Sequence, residues 1–161
     1  MIEVHRSAVI SPCGRYRYRL ERRWADTGPN LTFIMHNPST ADAHQDDPTI
    51  RRCMAFARRE GMSGMVVLNR YAYRSPHPRD LFKTIDPIGD DNAEYLAGAD
   101  GVIVAAWGAI KGPDPDYEVA LPMVLARGRN LWCLGQTKSL APRHPLYLKQ
   151  DACLHLWVGA L

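Results

Sequence analysis

The sequence predicts a three-layer α/β/α fold with a mainly parallel central sheet, and three observations carry that prediction. Four short apolar runs, 31–35, 65–68, 102–106 and 131–134, are each bounded by turn residues, the pattern of strands buried on both faces. Stretches of helical periodicity separate them, so strands alternate with helices along the chain. The runs also stop abruptly: the first at His36-Asn37-Pro38, the second at Asn69, the third at Trp107-Gly108, and the fourth shortly before His144-Pro145. Polar groups just past the carboxyl ends of parallel strands converge on the crevice where open α/β sheets hold ligands. Asn37, Asn69, Trp107 and His144 therefore predict a small-molecule or nucleobase pocket.

With 161 residues, 46% hydrophobic and 23% charged, the chain reads as one domain spanning 1–161, enough to bury roughly 70% of its unfolded surface. No apolar run approaches the roughly 20 residues of a membrane span, and the first residues lack a signal-peptide pattern. A cytoplasmic protein with no membrane partner is expected. The net charge of +3 is small, but arginines cluster at 15–23 and again at 51–59, which directs attention to phosphate-bearing partners. Cys13, Cys53, Cys133 and Cys153 are widely spaced without a Cys-x-x-Cys pair. That argues against a zinc knuckle and for inert buried thiols.

Each element has a local cause. In 15–24, Tyr16, Tyr18 and Leu20 alternate with Arg15, Arg17 and Arg19, giving a strand with an apolar face and a basic face. The arginines suit either an edge strand protected by charge or a phosphate-contacting face. A turn at 26–30 leads into the 31–35 strand and a polar loop. Asp47 or Thr49 caps a helix over 50–60 with Ile50, Cys53, Met54 and Ala57 as its stripe, and Gly61 ends it. After the 65–68 strand comes a loop rich in Tyr, Arg, Ser and Pro. A short helix then starts at Pro78, and another over 90–97 is opened by Asp90 and Asp91. The 102–106 strand, a helix over 116–126, the 131–134 strand, a loop at 135–143 and a last strand near 153–158 complete the chain.

Two resemblances rest on these motifs. The order Asn37-Pro38, Leu68-Asn69, Ala106-Trp107-Gly108, His144-Pro145 is similar to that of the uracil-DNA glycosylase superfamily, over residues 31–148. As a whole the sequence more closely resembles the bacterial and phage domain-of-unknown-function family 1643. Its most recognisable stretches here are 35–42, 46–52 and 68–75. The first resemblance implies a uracil-DNA-glycosylase-like fold and hydrolysis of the N-glycosidic bond of a damaged or modified base. Two departures stand out: Asn37 occupies the position where the most active branch carries Asp, and no Ser follows His144-Pro145. Arg143 and Lys138 are available to replace that Ser as a phosphate clamp. The cysteines also exclude the iron–sulfur branch.

The implied roles follow from side-chain chemistry. Asn37 orients water, though its amide cannot accept a proton, and His144 donates to the departing base. These two are the candidate catalytic residues. Asn69 offers both a donor and an acceptor, as an amide-like base edge requires, while Tyr71 or Trp107 stacks on an extruded base. His36 and Asp42 complete the candidate substrate set, and Arg70, Arg74, Lys138 and Arg143 form the candidate nucleic-acid contacts. No cofactor is expected, and the partner is a nucleic acid, nucleotide or nucleobase. Structural alternatives stay open for each. Asn37 serves equally as a turn former, Asn69 and His144 as loop residues, and Trp107 as core. A non-catalytic nucleic-acid or nucleotide binder is one rival reading. A metal-dependent hydrolase is another, since His36, Asp42, His44, Asp46 and Asp47 are potential ligands. The same carboxylates also suit helix capping and pairing with Arg51, Arg52 and Arg74. No Gly-x-Ser-x-Gly elbow or Walker loop is present.

Overall fold

Seven strands form one sheet, in the order β1-β2-β4-β3-β5-β6-β7, in the computed structural model, which describes residues 3–111 and 128–159. The strands are β1 (His5–Ile10), β2 (Arg17–Arg23), β3 (Asn30–Met35), β4 (Gly64–Asn69), β5 (Val102–Ala105), β6 (Leu131–Cys133) and β7 (His155–Leu156). Two α-helices, α1 (Pro48–Arg59) and α2 (Asn92–Ala97), and short 3₁₀ turns at Pro78–Phe82 and Pro145–Tyr147 complete the described elements.

The four runs read as strands from the sequence are β3, β4, β5 and β6, and they pair in parallel. The sheet as a whole is mixed, which corrects the mainly parallel expectation. β1 and β2 pair antiparallel, β2 adds antiparallel to β4, and β7 adds antiparallel to β6. β1 carried no apolar run to announce it, because its side chains are exposed or half-buried. β1 also removes β2 from the edge, so the arginines of β2 do not guard an open edge. Arg17 and Arg22 are instead buried, at 2% and 0% exposure. The last strand contracts to two residues, and the helix expected over 116–126 lies outside the described residues.

The connections explain where a ligand site forms. From β3 the chain passes through α1 to β4 on one side. From β4 it passes through α2 to β5 on the other side of β3. Two right-handed crossovers running in opposite directions leave their helices on opposite faces. The side chains divide accordingly. Leu31, Phe33, Met35, Met65 and Val67 pack with Ile50, Cys53, Phe56 and Ala57 of α1. Ile34, Val66, Leu68 and Ile103 pack with Leu96 of α2 and Ala99 just beyond it. The strand order therefore reverses at β3, and the carboxyl ends of β4, β3 and β5 surround that switch point.

α1 forms because Asp47 caps it, its carboxylate accepting the Ile50 N–H at 2.8 Å, with Pro48 in the first turn. Its basic residues do not form a free patch. Arg52 and Arg59 lie over the Phe56 ring and Arg58 over Trp24 at 4.2 Å. Of the cysteines, Cys53 and Cys133 are buried while Cys13 and Cys153 are exposed, so the expectation of mostly buried thiols holds for half of them. No helix among the described residues is long and apolar enough to cross a membrane.

Candidate functional site

Past their last paired residues β3 and β4 stay tied, since the Arg70 N–H donates to Met35 O and the Tyr71 N–H to His36 O. This extension holds the two strand ends, and hence Asn37 and Asn69, side by side. Further along, the Ser75 N–H donates to Pro38 O at 2.9 Å, and the Asn37 side-chain amide donates to Ser75 O at 2.9 Å and Pro38 O at 3.1 Å. The NH₂ group of Asn37 is thus consumed by the fold. Its Oδ1 has no partner among the described residues and remains available as an acceptor.

Asn69 is more unusual. It is 1% exposed, yet neither Oδ1 nor Nδ2 has a hydrogen-bond partner among the described residues. Its backbone is well held, because Asn92, the first residue of α2, donates its side-chain amide to Asn69 O and Arg70 O at 3.0 and 3.1 Å. Burying an amide without partners costs about 1–3 kcal/mol for each orphaned group, so such groups are rare away from functional sites.

Both residues line one cavity of about 820 Å³ at the switch point, together with His36, Trp107, Arg143 and His144. That volume suits a drug-sized or nucleotide-sized ligand. Six of the eleven residues named from the sequence meet there. Trp107 is 5% exposed and packs edge-on against Trp157 at 5.1 Å. Gly108 beside it adopts φ +81°, donates its N–H to Pro142 O at 2.9 Å, and would bring a Cβ within 3.3 Å of the His144 Cβ. A glycine is needed here because the loop carrying His144 closes directly onto the backbone.

His144 accepts the Leu146 N–H at Nδ1, 3.2 Å. In the neutral ring that leaves the proton on Nε2, as a donor. Burial pulls its pKa below the usual 6.5, against the opposing pull of Asp47, which favours this neutral form.

The other five candidates lie elsewhere. Tyr71 is 3% exposed and stands edge-on behind His36 at 5.2 Å, supporting that ring without lining the cavity. Arg70 is buried against the Tyr71 and Trp107 rings, at 5.7 and 5.4 Å, and is not a surface contact. Arg74 borders a separate shallow depression, and Lys138 is exposed on the 135–143 loop. The Asp42 carboxylate accepts the His44 and Gln45 N–H groups, which hold its pKa low and close the loop.

The remaining carboxylates of the 36–47 loop are likewise engaged. Asp46 pairs with Arg22 at 2.7 Å and with Arg6 at 2.5 Å. Burial pushes its pKa up, but the bonds from the two arginines together outweigh that and hold it low. Arg22 also donates to the carbonyls of Asp42 and Gln45. Asp47 caps α1. Among the described residues no group of three or more His, Cys, Asp or Glu side chains gathers as metal ligands.

Sequence reasoning missed Arg17 and Asp47 as cavity residues. Arg17 was legible as one arginine of an alternating strand, on an edge or a phosphate-contacting face, and Asp47 as a helix cap or a potential metal ligand. Both reach the cavity because β2 joins the sheet beside β4 and because α1 begins at the switch point.

No curated protein and no solved structure matches the chain. The description of the family "Protein of unknown function (DUF1643)" matches residues 17–146. That span covers most of the chain, including every cavity residue named above, and the chain belongs to the DUF1643 family.

Proposed function

We propose that this protein holds a nucleobase in the switch-point cavity and hydrolyses its bond to the sugar, on a fold of the uracil-DNA-glycosylase type. The observation that carries the reading is the buried Asn69 amide, whose donor and acceptor are both unused. A nucleobase edge presents the complementary acceptor and donor side by side. Binding one would satisfy both groups at once, and a molecule lacking that edge would leave them orphaned.

Hydrolysis requires the C1′–N bond to break with its electron pair going to the base. Water oxygen bonds to C1′, and a water proton ends on the departing base. The sugar acquires positive charge before the water bond is complete, so a water held by Asn37 Oδ1 need not be strongly activated. His144 Nε2–H donates to the base oxygen on which negative charge accumulates. By analogy with oxyanion sites, such a donor contributes about 3 kcal/mol of barrier lowering. Trp107 supplies an apolar wall beside the base.

The test incubates purified protein with single- and double-stranded oligonucleotides carrying deaminated, oxidised and alkylated bases, and measures released base and abasic sites. The expected result is release from at least one substrate, lost in Asn37→Ala and in His144→Ala. Release from none refutes the hydrolytic half. One observation favours a non-catalytic binder as the second reading. Position 37 is an amide anchored to two carbonyls, and Asp47, the cavity's carboxylate among the described residues, spends one oxygen capping α1. Binding without release supports that second reading.

A further inference from the structure

We infer that the cavity contains an anion subsite centred on Arg17, so that the ligand is a nucleobase bearing a phosphate, taken as a nucleotide rather than as a free base or nucleoside. This deepens the nucleobase reading by adding the substrate class.

Arg17 sits on β2, 2% exposed, and lines the cavity. Its Nη1 donates to Ala41 O at 2.8 Å, while its buried Nε has no hydrogen-bond partner among the described residues. Among the described residues it forms no ion pair. The other buried arginine of the same strand shows the contrast: Arg22 is paired with Asp46 and bonded to several carbonyls. A buried guanidinium that no carboxylate contacts, with only longer-range attraction from Asp47 and Asp42, is costly to maintain. An oxyanion accepting from Nε would supply both the missing charge and the missing acceptor, in the geometry guanidinium offers to phosphate.

The surrounding charge agrees. Arg79, Lys111 and Arg143 line the same cavity, against Asp47 as its carboxylate among the described residues. Four cations facing one anion make the cavity basic in a chain whose whole net charge is +3. The anion would come either from a free mononucleotide or from a nucleotide within a strand, and the phosphate chemistry is the same. Burial lowers the Arg17 pKa to about 10, partly offset by Asp47. The group therefore stays charged at neutral pH.

The experiment compares deoxynucleosides with their 5′-monophosphates and with short single-stranded oligonucleotides, using calorimetry on the full chain, with inorganic phosphate as a base-free probe. Phosphorylated ligands are expected to bind about ten- to a hundredfold tighter than nucleosides. Arg17→Gln should abolish that ratio, and Arg17→Lys should restore part of it. A preference for oligonucleotides over mononucleotides assigns the phosphate to a strand, and the reverse assigns it to a free nucleotide. Because Arg17→Gln could impair folding, the ¹⁵Nε–¹H resonance of Arg17 in the unaltered protein supplies a second readout. It should shift on adding phosphate or monophosphate. Equal affinity for nucleosides and monophosphates, or an increment that survives in well-folded Arg17→Gln, overturns the inference while leaving the nucleobase reading standing. Phosphate binding that moves the Arg17 resonance, with no preference for any base, does the opposite.

Discussion

Replacing Asn69 by Leu separates function from stability in a way few substitutions can. The two side chains have similar shape, but Leu carries neither the buried Oδ1 nor the buried Nδ2 that lack partners. Removing two orphaned polar groups recovers about 2–6 kcal/mol. Fitting methyl groups into a slot shaped for a planar amide returns about 1–3 kcal/mol of that. The net expectation is centred on a protein about 2 kcal/mol more stable, within a span from about 1 kcal/mol less stable to about 5 more stable. For a chain of this length the central value raises the melting temperature by about 4–8 °C. The same change should weaken nucleobase binding by about 30- to 100-fold, the loss of two hydrogen bonds at roughly 1 kcal/mol or more each. Calorimetric melting without ligand and a binding titration with it measure the two effects. Destabilisation by more than about 1 kcal/mol would show that the amide has partners in solution and is not held open for a ligand.

Asn37→Ala should cost about 1–2 kcal/mol, since Ser75 O and Pro38 O each lose a donor, and should eliminate base release. Melting and release assays check both. Gly108→Ala should cost about 1–2 kcal/mol for the left-handed backbone and press on His144 at 3.3 Å, so ligand affinity falls together with melting temperature. Arg22→Met should cost about 3–5 kcal/mol, because it leaves the partly buried Asp46 carboxylate with Arg6 alone and takes a donor from the Asp42 and Gln45 carbonyls. Asp46→Asn in the same background should recover part of the loss, read by a double-mutant cycle in denaturant. His144, whose folded pKa lies below the usual 6.5, binds a proton more readily in the unfolded chain. Stability from this residue is therefore fully present above pH 6.5 and declines as the pH falls from there through its folded pKa. His144→Ala should flatten that part of a stability-against-pH curve.

Legibility followed the physical signal each residue leaves in the chain. The four parallel strands are buried on both faces, so they appear as uninterrupted apolar runs, and their abrupt polar ends mark the cavity. The helix cap was legible as Asp47 or Thr49, because capping is decided within four residues, and Asp47 is the one that caps. β1 was not legible: half-exposed strands of six residues leave neither a run nor a clean alternation. Its absence from the expectation misplaced β2 at an edge and made the sheet look mainly parallel. Arg17 and Arg22 illustrate the same limit. Both alternate along one strand as polar letters, yet each is buried by tertiary contacts that lie 20 or more residues away. Arg70 and Tyr71 failed as contacts for a related reason. They follow Asn69 directly, but the β3–β4 extension turns both inward, which spacing along the chain does not encode.

The side-chain amide resonances of Asn69, followed by ¹H–¹⁵N spectroscopy during titration with deoxynucleosides, report whether a base edge docks on this residue. Because Nδ2 has no partner among the described residues, its proton signals should move far downfield as a base edge accepts from it, saturating with the binding isotherm. Ligand that binds with those signals unmoved would mean that the cavity recognises something other than a nucleobase edge at Asn69.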